Sequence, residues 1–260
     1  MIRSLWVAKT GMDVNQANLD VIANNLANAS TTAFKRVKPT FEDLLYQTVR
    51  SSGSQTSEQT QAPSGLQFGA GSRLSGTSRI LTQGATQRTQ NALDVAISGN
   101  GYFQINLPTG VAAYTRDGNF TKDNQGQLVT AQGYVVAPGI TIPAEATAIS
   151  ISEFGQISVT LAGQAQAQQV GQLQIVNFVN PAGLEAIGGN LFIETAASGN
   201  PVQGNPGQNG LGAIQQYFIE ASNVSVAEEL VTLIQAQRGY DVNTRVVRAS
   251  DEVLQRLAQV

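Results

Sequence analysis

The sequence predicts an α+β fold in which N- and C-terminal helices flank a β-rich middle. Residues 1–29 and 224–260 carry apolar residues at helical spacing and contain few helix breakers. Residues from about 30 to 222 instead contain short apolar runs between turns rich in Gly and Asn. We therefore expect the two terminal helices to pair as a coiled coil, and the β-rich domain to be joined to them by an extended connecting segment.

The N-terminal helix has two apolar columns on roughly opposite sides. The first column repeats every seven residues, as the heptad pattern of a coiled coil does. It consists of Leu5, Met12, Leu19 and Leu26. The second column consists of Val7, Val14 and Val21. A surface helix of a monomer usually has one apolar stripe, so two opposed columns predict contacts on two fronts.

The C-terminal helix repeats the seven-residue spacing over a greater length. Its apolar column consists of Val226, Leu233, Tyr240, Val247 and Leu254. Ser225 followed by Glu228 matches a capping box and predicts the start of the helix there. A helix of about 34 residues is about 50 Å long. We take this column and the leucine column of the first helix as the predicted assembly residues. A pair of ordinary core helices is the alternative interpretation.

The middle of the chain has the pattern of antiparallel β structure. The apolar run Val95–Ile97 precedes the turn residues 99–101, and Tyr102–Ile105 follows them. Turn signals recur roughly every ten residues, which is typical of hairpins. Two stretches, 51–65 and 199–212, are rich in Gly and small polar residues and have the composition of flexible loops.

Composition argues against several classes of function. Charged residues make up 13% of the 260 residues and the net charge is −3, so no basic field is available to attract nucleic acid. The small basic cluster of Lys35, Arg36 and Lys38 is too short to change this conclusion. Cysteine and histidine are absent, which excludes a thiolate metal site and a Ser-His-Asp or Cys-His triad. We expect no enzymatic activity, no cofactor and no small-molecule substrate.

Two loops have some residues of a ligand site without the spacing that such a site needs. The glycines between 204 and 212 are not spaced as G-x-G-x-x-G, and no Lys-Ser/Thr pair follows them. Asp117, Asp123 and Asn124 lack the alternating ligands and the closing Glu of a calcium loop. Surface turns are the better interpretation of both.

The N-terminus lacks the pattern of a secretory signal. No continuous apolar run is followed there by a small-residue cleavage site. No stretch approaches the roughly 20 apolar residues that a membrane-spanning helix requires. We expect a soluble chain that leaves the cytoplasm, if it does, by a route that reads no cleavable signal.

Long strings of this sequence resemble those of the flagellar rod and hook proteins. DVIANNLANASTTAFKR at 20–36 and SNVSVAEELVTLIQAQRGYDVN at 222–243 are similar to the two terminal signatures of that family. DVAISGNGYF at 94–103 and YTRDGNFTKDNQGQLVT at 114–130 resemble its first β domain. The strings are collinear and spread over nearly the whole chain.

A further pair of strings resembles the distal-rod members of the family in particular. These are FEDLLYQTVR at 41–50 and SEQTQAPSGLQFGAG at 57–71. Two positions depart from the family pattern. Ala33 stands where the family often has Gly, and Gly239 stands where a helix-favouring small residue is usual. The second departure lowers helix propensity by up to about 1 kcal/mol.

The resemblance implies an arrangement in three parts. Residues 1–29 and 224–260 would form an inner helical coiled-coil domain. Residues 30–68 and 219–223 would form an extended connecting region. Residues 69–218 would form an outer β-rich domain.

The resemblance also implies a function, which is that of a structural subunit of the flagellar distal rod. Such a subunit polymerises into a rigid helical tube that transmits motor torque to the hook. The implied partners are further copies of the chain, the proximal rod proteins, the hook protein, the P-ring and L-ring proteins, the rod cap and the flagellar type III export apparatus. The implied location is the flagellar basal body, in the periplasm and reaching the outer membrane, after export without a cleaved signal peptide. A secreted β-rich binding protein or adhesin with a helical stalk is the alternative interpretation.

Overall fold

A computed structural model describes the chain over residues 2–53, 55–57, 60–61, 63–163 and 166–258. The outermost residues of the two predicted helical segments, Met1, Gln259 and Val260, lie outside the described residues.

The chain forms two compact units, each built from segments that are distant in sequence. Unit 1 contains Met1–Ala27, Val37–Arg79 and Ser225–Val260, and unit 2 contains Asn28–Arg36 and Ile80–Val224. The predicted α+β class is confirmed, because two long terminal helices flank a β-rich middle. The three-part division expected from the resemblance is a different partition of the chain and stays a prediction.

Two long helices belong to unit 1. Helix α1 spans Ile2–Ala27 and helix α2 spans Val226–Ala258. The capping pattern predicts the start of α2 correctly, since the helix begins directly after Ser225. The carbonyl oxygen of Ser225 accepts a hydrogen bond from the backbone N–H of Glu229 at 3.0 Å, as the first bond of a helix does.

The two helices pack against each other in antiparallel orientation. Near the start of α1, the hydroxyl oxygen of Ser4 lies 3.5 Å from that of Ser250, near the end of α2. Closer to the middle of both helices, the hydroxyl of Thr244 lies 3.7 Å from the sulfur of Met12. Residue numbers therefore rise along α1 as they fall along α2.

The rest of unit 1 is a set of nested antiparallel hairpins, which we call the hairpin ribbon (residues 37–79). Its strands are β1 Val37–Asp43, β2 Tyr46–Arg50, β3 Gln55–Ser57, β4 Thr60–Gln61, β5 Leu66–Gly69 and β6 Ser72–Arg79. β1 pairs with β6, β2 with β5 and β3 with β4. The stretch 51–65 is the tip of this ribbon. Four of its residues, Ser54, Glu58, Gln59 and Ala62, lie outside the described residues.

Unit 2 contains the other described strands, which are short and are joined by turns. They are β7 Thr86–Arg88, β8 Val95–Ser98, β9 Tyr102–Asn106, β10 Ala112–Thr115, β11 Phe120–Lys122, β12 Leu128–Thr130, β13 Val135–Val136, β14 Ala146–Ile151, β15 Gln156–Leu161, β16 Gln168–Gln172, β17 Ile175–Asn177, β18 Glu185–Gly188, β19 Leu191–Ile193, β20 Val202–Gly204, β21 Ala213–Gln216 and β22 Phe218–Glu220. A 3-10 turn lies at Pro181–Gly183.

The strand pairs of unit 2 are antiparallel, as predicted. The largest sheet formed by the described residues has the strand order β11-β12-β13-β9-β10-β19-β18, with β17 also paired to β9 and β20 paired to β17. A second sheet has the order β14-β15-β16. Near the C-terminal end of the unit, β21 pairs with β8 and β22 pairs with β7.

Two buried clusters cover opposite faces of the largest sheet. Phe103 and Ile175 belong to the main core, while their neighbours Tyr102 and Val176 belong to a smaller cluster. Adjacent residues of a strand point to opposite faces, so the two clusters lie on the two sides of the sheet. Burial on both faces makes this sheet the stable centre of unit 2.

Candidate assembly surface

The predicted assembly residues divide into half-buried and exposed groups. Leu5, Met12, Leu19, Leu26, Leu233, Val247 and Leu254 are half-buried. Val226 and Tyr240 are exposed, with 45% and 37% of their surface accessible. Apolar surface of this extent, left open along two long helices, is what an interface with another molecule would cover. Nothing within a single chain tests the assembly role of these residues, which stays a prediction.

Small and polar residues of α1 and α2 come close together, in addition to the contact of Met12 with Thr244. A Cβ atom added to Gly11 would lie 2.8 Å from Nδ2 of Asn243, and one added to Gly239 would lie 2.8 Å from Oδ1 of Asn15. Ala236 on α2 is also buried. Small residues at these positions let the two backbones come close together.

Another side of α1 is occupied by the hairpin ribbon. The Nδ2 group of Asn25 donates to the carbonyl oxygen of Val37 at 2.8 Å, and its Oδ1 accepts from the backbone N–H of Val37 at 2.9 Å. The hydroxyl oxygen of Thr10 accepts from the backbone N–H of Ser72 at 3.4 Å. Val14 and Val21 follow Thr10 at helical spacing and are half-buried. Both predicted fronts of α1 thus contact other parts of its own chain, while Val7 of the second column remains exposed.

Large apolar side chains remain exposed on the helices and on the ribbon. Those on the helices include Trp6, Leu230, Val231, Ile234, Val242, Val246 and Val253. Those on the ribbon include Leu45, Tyr46, Val49, Leu66 and Phe68. Phe68 lies beneath the guanidinium of Arg3, whose carbon is 4.9 Å from the ring centroid. Unit 1 therefore presents an apolar surface far larger than the single exposed residues that a monomer normally carries.

A buried charged cluster, the Glu220 cluster (Lys35, Arg116 and Glu220), lies inside unit 2. The ammonium of Lys35 donates to Oε1 of Glu220, and Nε of Arg116 donates to Oε2 at 2.9 Å. All three side chains are at least nine-tenths buried. The remaining donors are satisfied by backbone oxygens, because Lys35 also bonds to the carbonyl of Thr82 at 2.9 Å and Arg116 bonds to that of Gly101 at 2.9 Å.

Burial and the neighbouring charges shift the pKa values of Glu220 and Lys35. Burial opposes ionisation of Glu220, but the Arg116 guanidinium and the Lys35 ammonium outweigh it and hold the pKa of Glu220 below its usual value. Burial lowers the pKa of the Lys35 ammonium, although the hydrogen bond to Glu220 opposes that shift. The cluster is a structural ion pair, because its donors and acceptors are aimed at one another and at backbone groups.

The ends of the chain segments that form unit 2 are tied together close to Glu220. The backbone N–H of Ala33 donates to the carbonyl oxygen of Glu220 at 2.8 Å. Oδ1 of Asn223 accepts from the backbone N–H of Arg36 at 2.7 Å, and Nδ2 of Asn223 donates to the carbonyl of Ile80 at 2.8 Å. Ile80 in turn donates its backbone N–H to the carbonyl of Arg36 at 2.8 Å. One asparagine thus fixes an early and a later segment to the last residues of the unit.

Unit 2 also contains an apolar groove of about 490 Å³. It lies between the turns that follow β9, β12 and β18, and its larger lining residues are Leu107, Tyr134, Ile187 and Leu191. Its lining side chains carry no formal charge, so the groove offers apolar surface without an acid–base pair. Among the described residues, no group of three or more Asp and Glu side chains is placed to hold a metal ion. In the same part of the chain, neither helix combines the length and apolarity needed to cross a membrane.

Comparison with known proteins identifies the family. A model described as "Flagella basal body rod protein" matches residues 5–35, one described as "Flagellar hook protein FlgE/F/G D1 domain" matches residues 96–159, and one described as "Flagellar basal body rod FlgEFG protein C-terminal" matches residues 215–260. The flagellar basal-body rod protein FlgG of Buchnera aphidicola subsp. Acyrthosiphon pisum is 52% identical over 260 residues, which is 100% of each chain. This chain belongs to the family of flagellar basal-body rod proteins.

Other rod proteins are similar over their whole length. FlgG of Caulobacter vibrioides is 48% identical, with 100% of this chain and 99% of the relative covered. FlgG of Bacillus subtilis is 41% identical, again with 100% and 99% covered. The crystal structure of Helicobacter pylori flagellar hook protein FlgE2 matches with 14% identity and a TM-score of 0.26, covering 72% of this chain and 43% of the other.

Membership in the rod protein family confirms the resemblance seen in the sequence. The chain is a structural component of the flagellar basal body and not an enzyme. The adhesin alternative receives no support, since relatives named as rod proteins match the whole chain, including its β-rich middle.

Sequence reasoning missed the Glu220 cluster. It grouped Lys35 with Arg36 and Lys38, but Lys35 is buried, Arg36 is half-buried and Lys38 is exposed, so the three do not act as one basic patch. One signal was available: Glu220 lies in the apolar run Phe218–Ala221, where an isolated carboxylate must find a partner if its strand is buried. Nothing in the sequence pointed to Arg116 as that partner.

Proposed function

We propose that this rod protein is the structural subunit of the flagellar distal rod, and that it polymerises into a rigid helical tube that transmits motor torque to the hook. Full-length similarity to relatives named FlgG supports a rod subunit. The assignment to the distal rod rests on the strings at 41–50 and 57–71, which resemble distal-rod proteins.

The observation that carries this proposal is the apolar surface that both long helices leave exposed. α1 and α2 come close together at small residues, and large apolar side chains of both helices, such as Trp6, Leu230 and Val242, remain exposed. We propose that these helices form the coiled-coil inner wall of the tube, where residues 1–29 and 224–260 of neighbouring copies pack together. The nine predicted assembly residues would then become buried on polymerisation.

The remaining segments would serve the stiffness and the smooth rotation of such a tube. In this proposal residues 30–68 and 219–223 connect the inner wall to an outer β-rich domain at 69–218. The exposed apolar residues of the hairpin ribbon support a bracing role, because they can bury surface against a neighbouring copy. A weakly charged surface, with charged residues at 13% of the chain, suits rotation inside a ring without strong adhesion.

The proposed partners follow from that position in the flagellum. They are further copies of this chain, the proximal rod proteins, the hook protein, the P-ring and L-ring proteins, the rod cap and the type III export apparatus. The proposed location is the basal body in the periplasm, reaching the outer membrane. Export would occur without cleavage of a signal peptide.

Negative-stain electron microscopy of the concentrated full-length protein tests the proposal. We expect straight tubes of uniform diameter, and a chain lacking residues 1–27 should remain dispersed because it has lost α1. Amorphous aggregates or stable monomers from the full-length chain at every concentration and ionic strength would contradict polymerisation.

A further inference from the structure

The hairpin ribbon has no core of its own. Its strands pair two by two, β1 with β6, β2 with β5 and β3 with β4. None of the side chains described in residues 37–53 and 63–79 is buried. A two-stranded hairpin without a packed face is at best marginally stable in water. The order of the ribbon must therefore come from contacts with another element.

Helix α1 supplies such contacts at both ends of the β1–β6 pair. At one end, the side-chain amide of Asn25 donates to and accepts from the backbone of Val37, as a residue of a neighbouring strand would. At the other end, the hydroxyl oxygen of Thr10 accepts from the backbone N–H of Ser72, which is paired with Asp43, the last residue of β1. Only 1% of Asn25 and 8% of Thr10 is accessible. These are buried polar bonds, which are costly to leave unmade.

The spacing of these contacts is the same on the helix and on the strand. Thr10 and Asn25 are fifteen residues apart, which is about 22 Å along a helix. Val37 and Asp43 are six residues apart, which is about 20 Å along a strand. Because the two lengths agree, the β1–β6 pair can lie alongside α1 and be held at both of its ends.

The approach of the ribbon to α1 is close and continues beyond the first strand pair. A Cβ atom added to Gly71, whose φ is +112°, would lie 2.1 Å from Oγ1 of Thr10. The guanidinium of Arg3 donates to Oε1 of Gln47 on β2 and lies over the ring of Phe68 on β5. Earlier residues of α1 thus contact parts of the ribbon that lie farther from its base.

We infer that α1 is the template on which the hairpin ribbon folds, so that the ribbon is ordered only when α1 is helical. At 3.6 residues per turn, Arg3, Thr10 and Asn25 lie within about 60° of one another on one side of the helix. In a segment that is not helical this alignment is lost, and the ribbon loses all three contacts together. α1 is therefore a conformational switch for the ribbon.

The switch acts within a single chain, so its failure would leave the proposed function untouched. One consequence does rest on the proposed function. Exposed apolar residues of the ribbon such as Leu45 and Tyr46, which would brace a neighbouring copy, are held in a fixed position only after α1 has formed.

Hydrogen exchange measured by mass spectrometry on the full-length chain tests the switch. Gln16 is exposed in the middle of α1, and proline there removes a helix hydrogen bond and breaks or kinks the helix. Gln16→Pro should speed the exchange of β1 and β6 amides at least tenfold, and the matched control Gln16→Ala should leave it unchanged. Amides of β9 and β10 in unit 2 should exchange equally in all three chains. Ribbon amides that stay protected in Gln16→Pro, although those of α1 exchange faster, would overturn the inference.

A second variant removes the contacts without weakening the helix. Asn25→Ala with Thr10→Val deletes both bonds to the β1–β6 pair, while alanine forms helix better than asparagine and valine about as well as threonine. The β1 and β6 amides should again exchange at least tenfold faster. Thr10→Ser, which keeps the hydroxyl, should behave as the unmodified chain does.

The helix content of this double variant, measured by circular dichroism, completes the test. Unchanged helix content with faster ribbon exchange shows that the contacts pass order from α1 to the ribbon. A joint loss of both shows that the two elements fold as one cooperative unit, as the inference also requires. Ribbon exchange equal to that of the unmodified chain would overturn the inference, whereas straight tubes from the unmodified chain would still support the proposed function.

Discussion

Glu220 is the single carboxylate on which two buried cations depend. Replacing it with Gln leaves the ammonium of Lys35 and the guanidinium of Arg116 without a counter-charge inside unit 2. Removing one partner of a buried ion pair typically destabilises a protein by about 3–5 kcal/mol. We expect Glu220→Gln to lower the free energy of unfolding by that amount in urea denaturation. The control, Glu42→Gln at the exposed ion pair with Arg73, should leave unfolding nearly unchanged, and an equal loss from both would contradict the role of burial.

The same carboxylate predicts a pH dependence. Its pKa in the folded chain lies below the usual value of 4.5, so the unfolded chain takes up the proton first as the pH falls. The stability that Glu220 contributes is therefore present above about pH 4.5 and is lost as the pH falls through the folded value. As the pH falls below about 4.5, the melting temperature of the unmodified chain should approach that of Glu220→Gln. A gap that stays constant as the pH falls from 6 to 3 would show that the pKa of Glu220 does not differ between the folded and the unfolded chain.

Ala33 occupies a backbone conformation that favours glycine. Its φ is 57°, and the left-handed region costs a residue with a side chain about 1–2 kcal/mol. Glycine lacks this penalty but loses more backbone freedom on folding, so we expect Ala33→Gly to stabilise unit 2 by about 0.5–1 kcal/mol. Ala96→Gly, at a buried strand position, should destabilise it. Calorimetric melting gives the change in stability of each variant. A loss of stability in Ala33→Gly would contradict the cost assigned to the positive φ of Ala33.

Individual residues show which features can be predicted from sequence patterns and which cannot. The departure at Ala33 is visible in the sequence, and its positive φ is a conformation that favours Gly. The Glu220 cluster is not visible, because its partners lie 185 and 104 residues away in the chain. Local spacing carries no information about contacts of that range. The assembly role of the nine column residues is a property of the polymer and stays a prediction.

At the scale of elements, the antiparallel register of α1 and α2 can be tested in a single chain. The Oγ atoms of Ser4 and Ser250 are 3.5 Å apart, close enough for a disulfide after a small adjustment. Oxidised Ser4→Cys/Ser250→Cys chains should form an intramolecular cross-link, detected by faster migration on a non-reducing gel at low protein concentration. The mismatched control Ser4→Cys/Ser225→Cys should not. A cross-link in the control alone would mean that the helices run parallel.

The helices were predictable as elements, but their close approach at small and polar residues was not. Seven-residue apolar spacing and a capping pattern are local signals, and they give the extent of α1 and the start of α2 correctly. The seam between the helices uses Gly11, Asn15, Gly239 and Asn243, which a search for apolar columns passes over. From the sequence alone, Gly239 is expected to lower the helix propensity of α2. In the structure it allows the close approach of Asn15.

At the scale of the whole molecule, the hairpin ribbon is the element that we expect to govern stiffness. Arg50 and Leu66 are paired across β2 and β5, so the tip at 51–65 can be replaced by the two-residue turn Asn-Gly without breaking the pairs below it. We expect polymers of this variant to bend like a hook, because the tip no longer braces neighbouring copies. Electron microscopy gives their persistence length. Replacing residues 162–167 of unit 2 by Asn-Gly is the control, and a straight, rigid polymer from the ribbon variant would contradict the prediction.

The hydrogen bonds of Asn223 have a consequence for how this family can diversify. The chain passes from one unit to the other after residues 27, 36, 79 and 224. Asn223 bonds to Arg36 and to Ile80, so the crossings after residues 36, 79 and 224 start or end close together in unit 2. A change of loop length elsewhere in unit 2 leaves that junction intact. The β-rich unit can therefore be enlarged or exchanged while the same terminal helices are kept.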